Sequence, residues 1–191
     1  MIRPSPRWSL VAVVLVLLGA GIACSSKNTS NPGTGPTSST TAPHAPPNLL
    51  TVAGLTGFLA QVQKQFGDTM GYQLTVRPDN AVLTRLDSTA AHQTVDWQYG
   101  KDGWKNMGAS SIPPEATPAD LSKFDVQEVT GVLNGAPQTL HINNPTNTSL
   151  IIESQKDASL ALEIELSDDS KSGSIDVGAD GTVKQIHPPN N

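Results

Sequence analysis

The chain is short of most features that would announce a chemistry. It has 191 residues and a single cysteine, which excludes a disulfide framework and any thiolate-rich metal site. Eight residues are aromatic (three Trp, two Tyr, three Phe), so large rings for a core are scarce. Charged residues make up 15%, below the rough quarter typical of globular domains. The formal net charge of −5 offers no basic patch for nucleic acid. None of the four histidines, His44, His92, His141 and His187, is paired at a metal-binding spacing. Gly-x-Ser-x-Gly elbows, Ser-x-x-Lys and Gly-rich phosphate loops are missing. No metal and no catalytic residue is therefore expected. A hydrolase would have to assemble a distant Ser or Asp with His141.

Long apolar runs are absent too. Leu10 to Ala23 gives 14 uncharged residues, short of the roughly 20 that a helix needs to cross a bilayer. That run follows Arg3 and Arg7 and ends in Gly19-Ala20-Gly21-Ile22-Ala23 before Cys24. A positive start, an apolar middle and small residues describe a cleaved signal over residues 1–23. The arrangement resembles the lipobox of bacterial lipoproteins, with Gly21 where that pattern prefers an aliphatic residue. The resemblance implies a covalent diacylglycerol and an N-acyl chain at Cys24, and hence a membrane anchor. The location implied is the outer face of the cytoplasmic membrane. An ordinary secretory signal beside a bystander cysteine is the plainer alternative.

Pro and Gly total 31 residues, and seven of them fall in residues 24–47. Residues 24–47 are mostly Ser, Thr, Asn, Pro and Gly with one charge, Lys27, and no hydrophobic period. Burial there cannot offset ordering entropy, so a disordered tether is expected. Its Thr-Pro neighbourhoods resemble the O-mannosylated linkers of actinobacterial lipoproteins; an unmodified spacer fits equally. Signal, Cys24, tether and small body together resemble mycobacterial and related actinobacterial lipoproteins.

The body is expected to be α+β, in two similar halves that each pack a helix on an antiparallel sheet. In residues 48–112, Leu55, Phe58, Leu59, Val62 and Phe66 form a stripe at helical spacing, stopped by Gly67. About three strands follow, around residues 72–76, 82–86 and 95–99. In residues 113–191 a helix is expected over 120–133, with a candidate break near Asp125 and an end at Asn134-Gly135. Strands are expected around 140–142, 150–152 and 160–166, with a closing hairpin over 174–186. A constant offset of 67 aligns Leu59, Val62 and Phe66 with Val126, Val129 and Leu133. It also places Val95, Trp97 and Tyr99 on Leu162, Ile164 and Leu166, which suggests an internal repeat. At fold level the order is similar to beta-lactamase inhibitor protein and PepSY-type modules, which act by binding.

Charge divides unevenly between the halves. Residues 48–112 balance five acidic against five basic side chains, whereas residues 113–191 hold twelve acidic and four basic. A charged partner should therefore meet the second half and be basic or cationic; a solvated acidic surface is the plain alternative. Asp168 to Gly173 has the oxygen spacing of a calcium loop, but Ala179 stands where its bidentate Glu belongs, so a turn is expected. Trp97, Tyr99 and Trp104 gather around one hairpin and form the candidate binding surface, with a core role as the alternative. The function expected is a non-enzymatic, membrane-anchored module binding a protein or an envelope component such as a glycolipid. The alternative is a lipid or glycolipid carrier with an apolar cavity between sheet and helices.

Overall fold

The computed structural model describes residues 48–88, 93–111 and 116–189. The signal, Cys24, the tether, His44 and His92 lie outside the described residues.

Helix α1, Val52–Phe66, forms where the apolar stripe predicts it. The Thr51 side chain caps it by accepting from the Gly54 amide at 3.0 Å. Gly67 ends it in the left-handed region (φ 82°), its amide donating to the Gln63 carbonyl. Leu55, Phe58 and Val62 are almost fully buried. Each contributes about 1.5–3 kcal/mol by leaving water.

The short bridge strand β1, Met70–Gly71, precedes β2, Gln73–Val76, β3, Ala81–Leu86, β4, Thr94–Gly100, and β5, Gly103–Ser110. Strand β5 exceeds the three strands expected. Its run of Gly, Lys, Asn and Met has no apolar alternation, and it is extended because β4 pairs with it, Tyr99 opposite Trp104. Bridge strand β6, Ala119–Asp120, pairs with β1.

Helix α2, Val126–Thr139, begins later and ends later than residues 120–133. Asp125 is its cap, accepting from the Gln127 and Glu128 amides at 3.0 Å each. Asn134-Gly135 does not stop it, and it runs over Pro137. Gly135 alone costs about 1 kcal/mol in a helix. Continuing the stripe buries Val129, Ala136 and Leu140 completely, and that burial wins. The strand expected over 140–142 is therefore the helix exit. Leu140 is the cap and His141, exposed with φ 54°, turns the chain.

The second meander is β7, Asn147–Ser154, β8, Leu160–Ser167, β9, Ser172–Val177, and β10, Val183–His187. Its three turns share one device. Asp157, Asp168 and Asp180 each accept from the amide two residues on, at 2.8–3.0 Å. Asp168 is thus a turn-former, which accepts from Lys171 as well.

The two meanders meet edge to edge. Strands β2 and β7 pair antiparallel, Leu74 opposite Ile152, and make one eight-stranded sheet of order β10-β9-β8-β7-β2-β3-β4-β5. Each half supplies a helix and four strands to that single sheet. The offset of 67 does not follow this order: β4 is third in its meander, whereas Leu162–Leu166 lie in β8, second in theirs. Register puts Leu74, Leu83, Ile152 and Ile164 on one face, where one buried cluster unites them with both helices. Among the described residues no helix lies on the opposite face.

Candidate functional site

Trp97, Tyr99 and Trp104 do come together, and they do so under α1. Strand alternation and the Tyr99–Trp104 pairing place all three on the helix-covered face. Phe58 lies 5.3 Å from Tyr99 and 5.9 Å from Trp104, centroid to centroid. Phe66 stands edge-on to Trp97 at 5.3 Å and to Trp104 at 4.9 Å. The Arg85 guanidinium caps Phe66 at 4.4 Å and pairs with Asp68 at 3.2 Å. Rings spent on one another and on α1 are half-buried packing.

The uncovered face offers different chemistry. Across the second half, Ser149 stands opposite Glu165, Glu165 opposite Ser174, and Ser174 opposite His187. One step along, Asn147, Ser167 and Ser172 form a parallel row. Toward the other end Ile151, Glu163 and Asp176 align, with Glu153 beyond. Two hollows open on this face. One, of about 660 Å³, is lined by both serine-containing rows together with Arg77 and Pro188. The other, of about 400 Å³, has Ile151 and Ala161 on its floor and Glu153, Glu163, Asp176 and Lys184 around it.

Hydrogen bonds on the face are sparse. Gln73 donates to Glu153 at 2.7 Å, Ser149 meets Glu165 at 3.4 Å, and His187 Nε2 lies 3.1 Å from Asp176 Oδ2. The acidic surplus of the second half now divides by role. Asp157, Asp168 and Asp180 build turns, while Asp125 and Glu128 serve the N-terminal end of α2. Glu153, Glu163, Glu165 and Asp176 are what remains on the open face.

The carboxylates that are clearly perturbed are structural ones. Burial would raise Asp120, but hydrogen bonds from the Thr69 hydroxyl and the Ser122 hydroxyl and amide, with Lys123 nearby, hold it below the usual range. The turn hydrogen bonds lower Asp157, through the Ser159 hydroxyl first, and Asp168 and Asp180, through the amides of Ser170 and Thr182 first. Among the described residues no group of three or more His, Cys, Asp or Glu is placed to hold a metal ion. Among them, no helix is long and apolar enough to cross a membrane.

The serine-lined rows had no signal in the sequence, because their members come from separate strands. Glu163 and Glu165 alternate with Leu162, Ile164 and Leu166, which places the two carboxylates on one strand face. Their company, Glu153 and Asp176, depends on long-range register.

No family model matches the chain, and no solved structure matches it. Two relatives come from Mycobacterium tuberculosis: "Uncharacterized protein Rv0048c" of strain H37Rv and "Uncharacterized protein MT0054" of strain CDC 1551. Each is 35% identical over 193 aligned positions, covering 93% of this chain. The chain is thus homologous to mycobacterial proteins, and it spans 66% of the length of these relatives.

Proposed function

We propose that the chain is a lipid-anchored extracytoplasmic binding protein, held by acylated Cys24 at the outer face of the cytoplasmic membrane. The open face of its second half meets a protein or envelope component. The observation that carries the reading is the one-sided sheet: both helices cover one face, and the other presents two hollows with four carboxylates. Among the described residues the Glu163 carboxylate has no hydrogen bond or ion pair, and a cationic partner group would complement it. Similarity to mycobacterial proteins agrees with the actinobacterial resemblance of the signal, Cys24 and tether; the envelope setting itself rests on the lipobox resemblance.

Mass spectrometry of the native protein should find a diacylglyceryl, N-acylated cysteine at its mature N-terminus. Cys24→Ala should release it from the membrane fraction. Immobilised protein should retain an envelope component in low salt, and Glu163→Gln with Asp176→Asn should weaken that retention. Glu128→Gln, at the α2 end, should not. Equal retention by all three would refute the open-face reading.

A further inference from the structure

The larger hollow differs in kind from the acidic one beside it, and the difference points to its ligand. Its floor is a lattice of polar groups in which serines stand between Glu165 and His187. Ser149, Glu165, Ser174 and His187 succeed one another across four neighbouring strands, spanning three interstrand steps of about 4.8 Å each. Asn147, Ser167 and Ser172 repeat the pattern one step along. Short side chains are what make it hollow. Where the neighbouring row carries Ile151 and Asp176 on β7 and β9, this row carries Ser149 and Ser174, and the row beyond carries Ser167 and Ser172, around a hollow of about 660 Å³.

Its charges nearly cancel. Arg77 supplies the cation and Glu165 the anion, and His187 is already placed against Asp176 at 3.1 Å. The Arg77 side chain makes no hydrogen bond or ion pair among the described residues, and the Ser149–Glu165 contact is long at 3.4 Å. The site therefore has a free guanidinium fork, a carboxylate with spare lone pairs and hydroxyls that both donate and accept. A strongly anionic ligand would be repelled by Glu165, and a polycation by Arg77. The groups left unpaired match neighbouring hydroxyls on one molecule: the carboxylate accepts from two of them, the guanidinium donates to two oxygens, and the serines take either role. The volume lies within the roughly 300–1,000 Å³ of small-molecule sites.

We propose that this hollow is a binding subsite for a neutral carbohydrate, held by hydrogen bonds to Arg77, Glu165 and the serine rows. This rests on the binding reading above and names the ligand class for one part of the open face.

The test is a ¹H–¹⁵N NMR titration of the acylation-free chain (Cys24→Ala) with neutral di- to tetrasaccharides of glucose, mannose, galactose and arabinose. The expected result is saturable shifts at millimolar sugar or below, centred on the amides of residues 147–149, 165–167 and 172–174. Ser174→Leu, which fills the hollow, and Glu165→Ala, which removes its anion, should each weaken binding at least about tenfold. Both should keep the wild-type circular dichroism spectrum, and Glu128→Gln, at the α2 end, should bind sugar normally. Shifts centred elsewhere, no saturable shift with any of the sugars, or unchanged affinity in both hollow variants would overturn the proposal. The parent reading fails separately, when wild-type protein retains no envelope component at all.

Discussion

Replacing Trp104 by alanine separates packing from docking most directly. A tryptophan lying on the surface as a ligand platform could be removed with little change in stability. Trp104 instead touches Phe58, Phe66 and Tyr99 at centroid distances of 5.9, 4.9 and 5.1 Å. Removing its half-buried ring returns roughly 100 Å² of apolar surface to water, about 2.5 kcal/mol at 25 cal/mol/Å². Lost ring-ring geometry adds up to ~1 kcal/mol. The space left opens to solvent on the β5 side, so little cavity cost is added. The expected destabilisation is about 3 kcal/mol. Urea unfolding should show a midpoint lower by roughly 1.5 M at unchanged slope, and thermal unfolding a midpoint lower by roughly 10 °C. Near-ultraviolet circular dichroism should lose intensity, because the coupled rings lose a member. Met107→Ala, on the same strand at an exposed position, should stay within about 0.5 kcal/mol. A Trp104→Ala loss no larger than the Met107→Ala loss would refute the packing argument and restore the ring surface as a binding candidate.

Gly57 in α1 and Gly131 in α2 have open space where a Cβ would stand, so each Gly→Ala change should stabilise by about 1 kcal/mol in the same urea assay. Gly181 is the opposite case. Its φ is 81°, and an added Cβ would lie 2.4 Å from Glu128 Cβ, so Gly181→Ala should destabilise by about 2 kcal/mol or more in thermal unfolding. Asp120 titrates lower when folded than when unfolded, so its ionised form favours the fold. That contribution is complete above the unfolded value near about 4 and fades as pH falls through the lowered folded value. Midpoints followed from neutral to strongly acidic pH should drop less steeply below about pH 4 for Asp120→Asn than for the parent.

Local signals were legible and long-range ones were not. The stripe from Leu55 to Phe66 with Gly67 behind it carried α1 to its last residue, because periodicity and a left-handed stop act within one turn. Alternation likewise marked β3, β4, β7, β8 and the closing hairpin. Helix α2 misled because Asn134-Gly135 is a strong local stop, and only the tertiary burial of Ala136, Leu140 and Ile142 overrides it. Asp125 and Glu128 stand at capping-box spacing. The return bond was not to be had, since the Asp125 amide donates to the Ala179 carbonyl in the β9–β10 turn. Strand β5 is made by its partner rather than by its pattern. The β2–β7 junction joins residues such as Leu74 and Ile152 that no local rule connects. The serine rows inherit that difficulty, since they exist only once register is fixed.

Register also bears on why the second half is acidic. An eight-stranded sheet with one bare face needs polar side chains there, to stay hydrated and to discourage sheet-on-sheet stacking. Were that the whole reason, the charge would be spread along the face. It is not. Across β2 to β5 the open face holds Gln73, Thr75, Val82 and Thr84, and its one carboxylate on these strands, Asp96, accepts from the Thr84 hydroxyl at 2.6 Å. Four carboxylates crowd instead onto β7, β8 and β9, with Glu163 directly opposite Asp176, a placement that repels itself. Solubility alone does not call for like charges on adjoining strands when half of the same face does without them. His187, 3.1 Å from Asp176, already meets one of the two, and a cationic group at Glu163 would meet the other. The uneven placement is what the proposed binding reading accounts for and hydration alone does not.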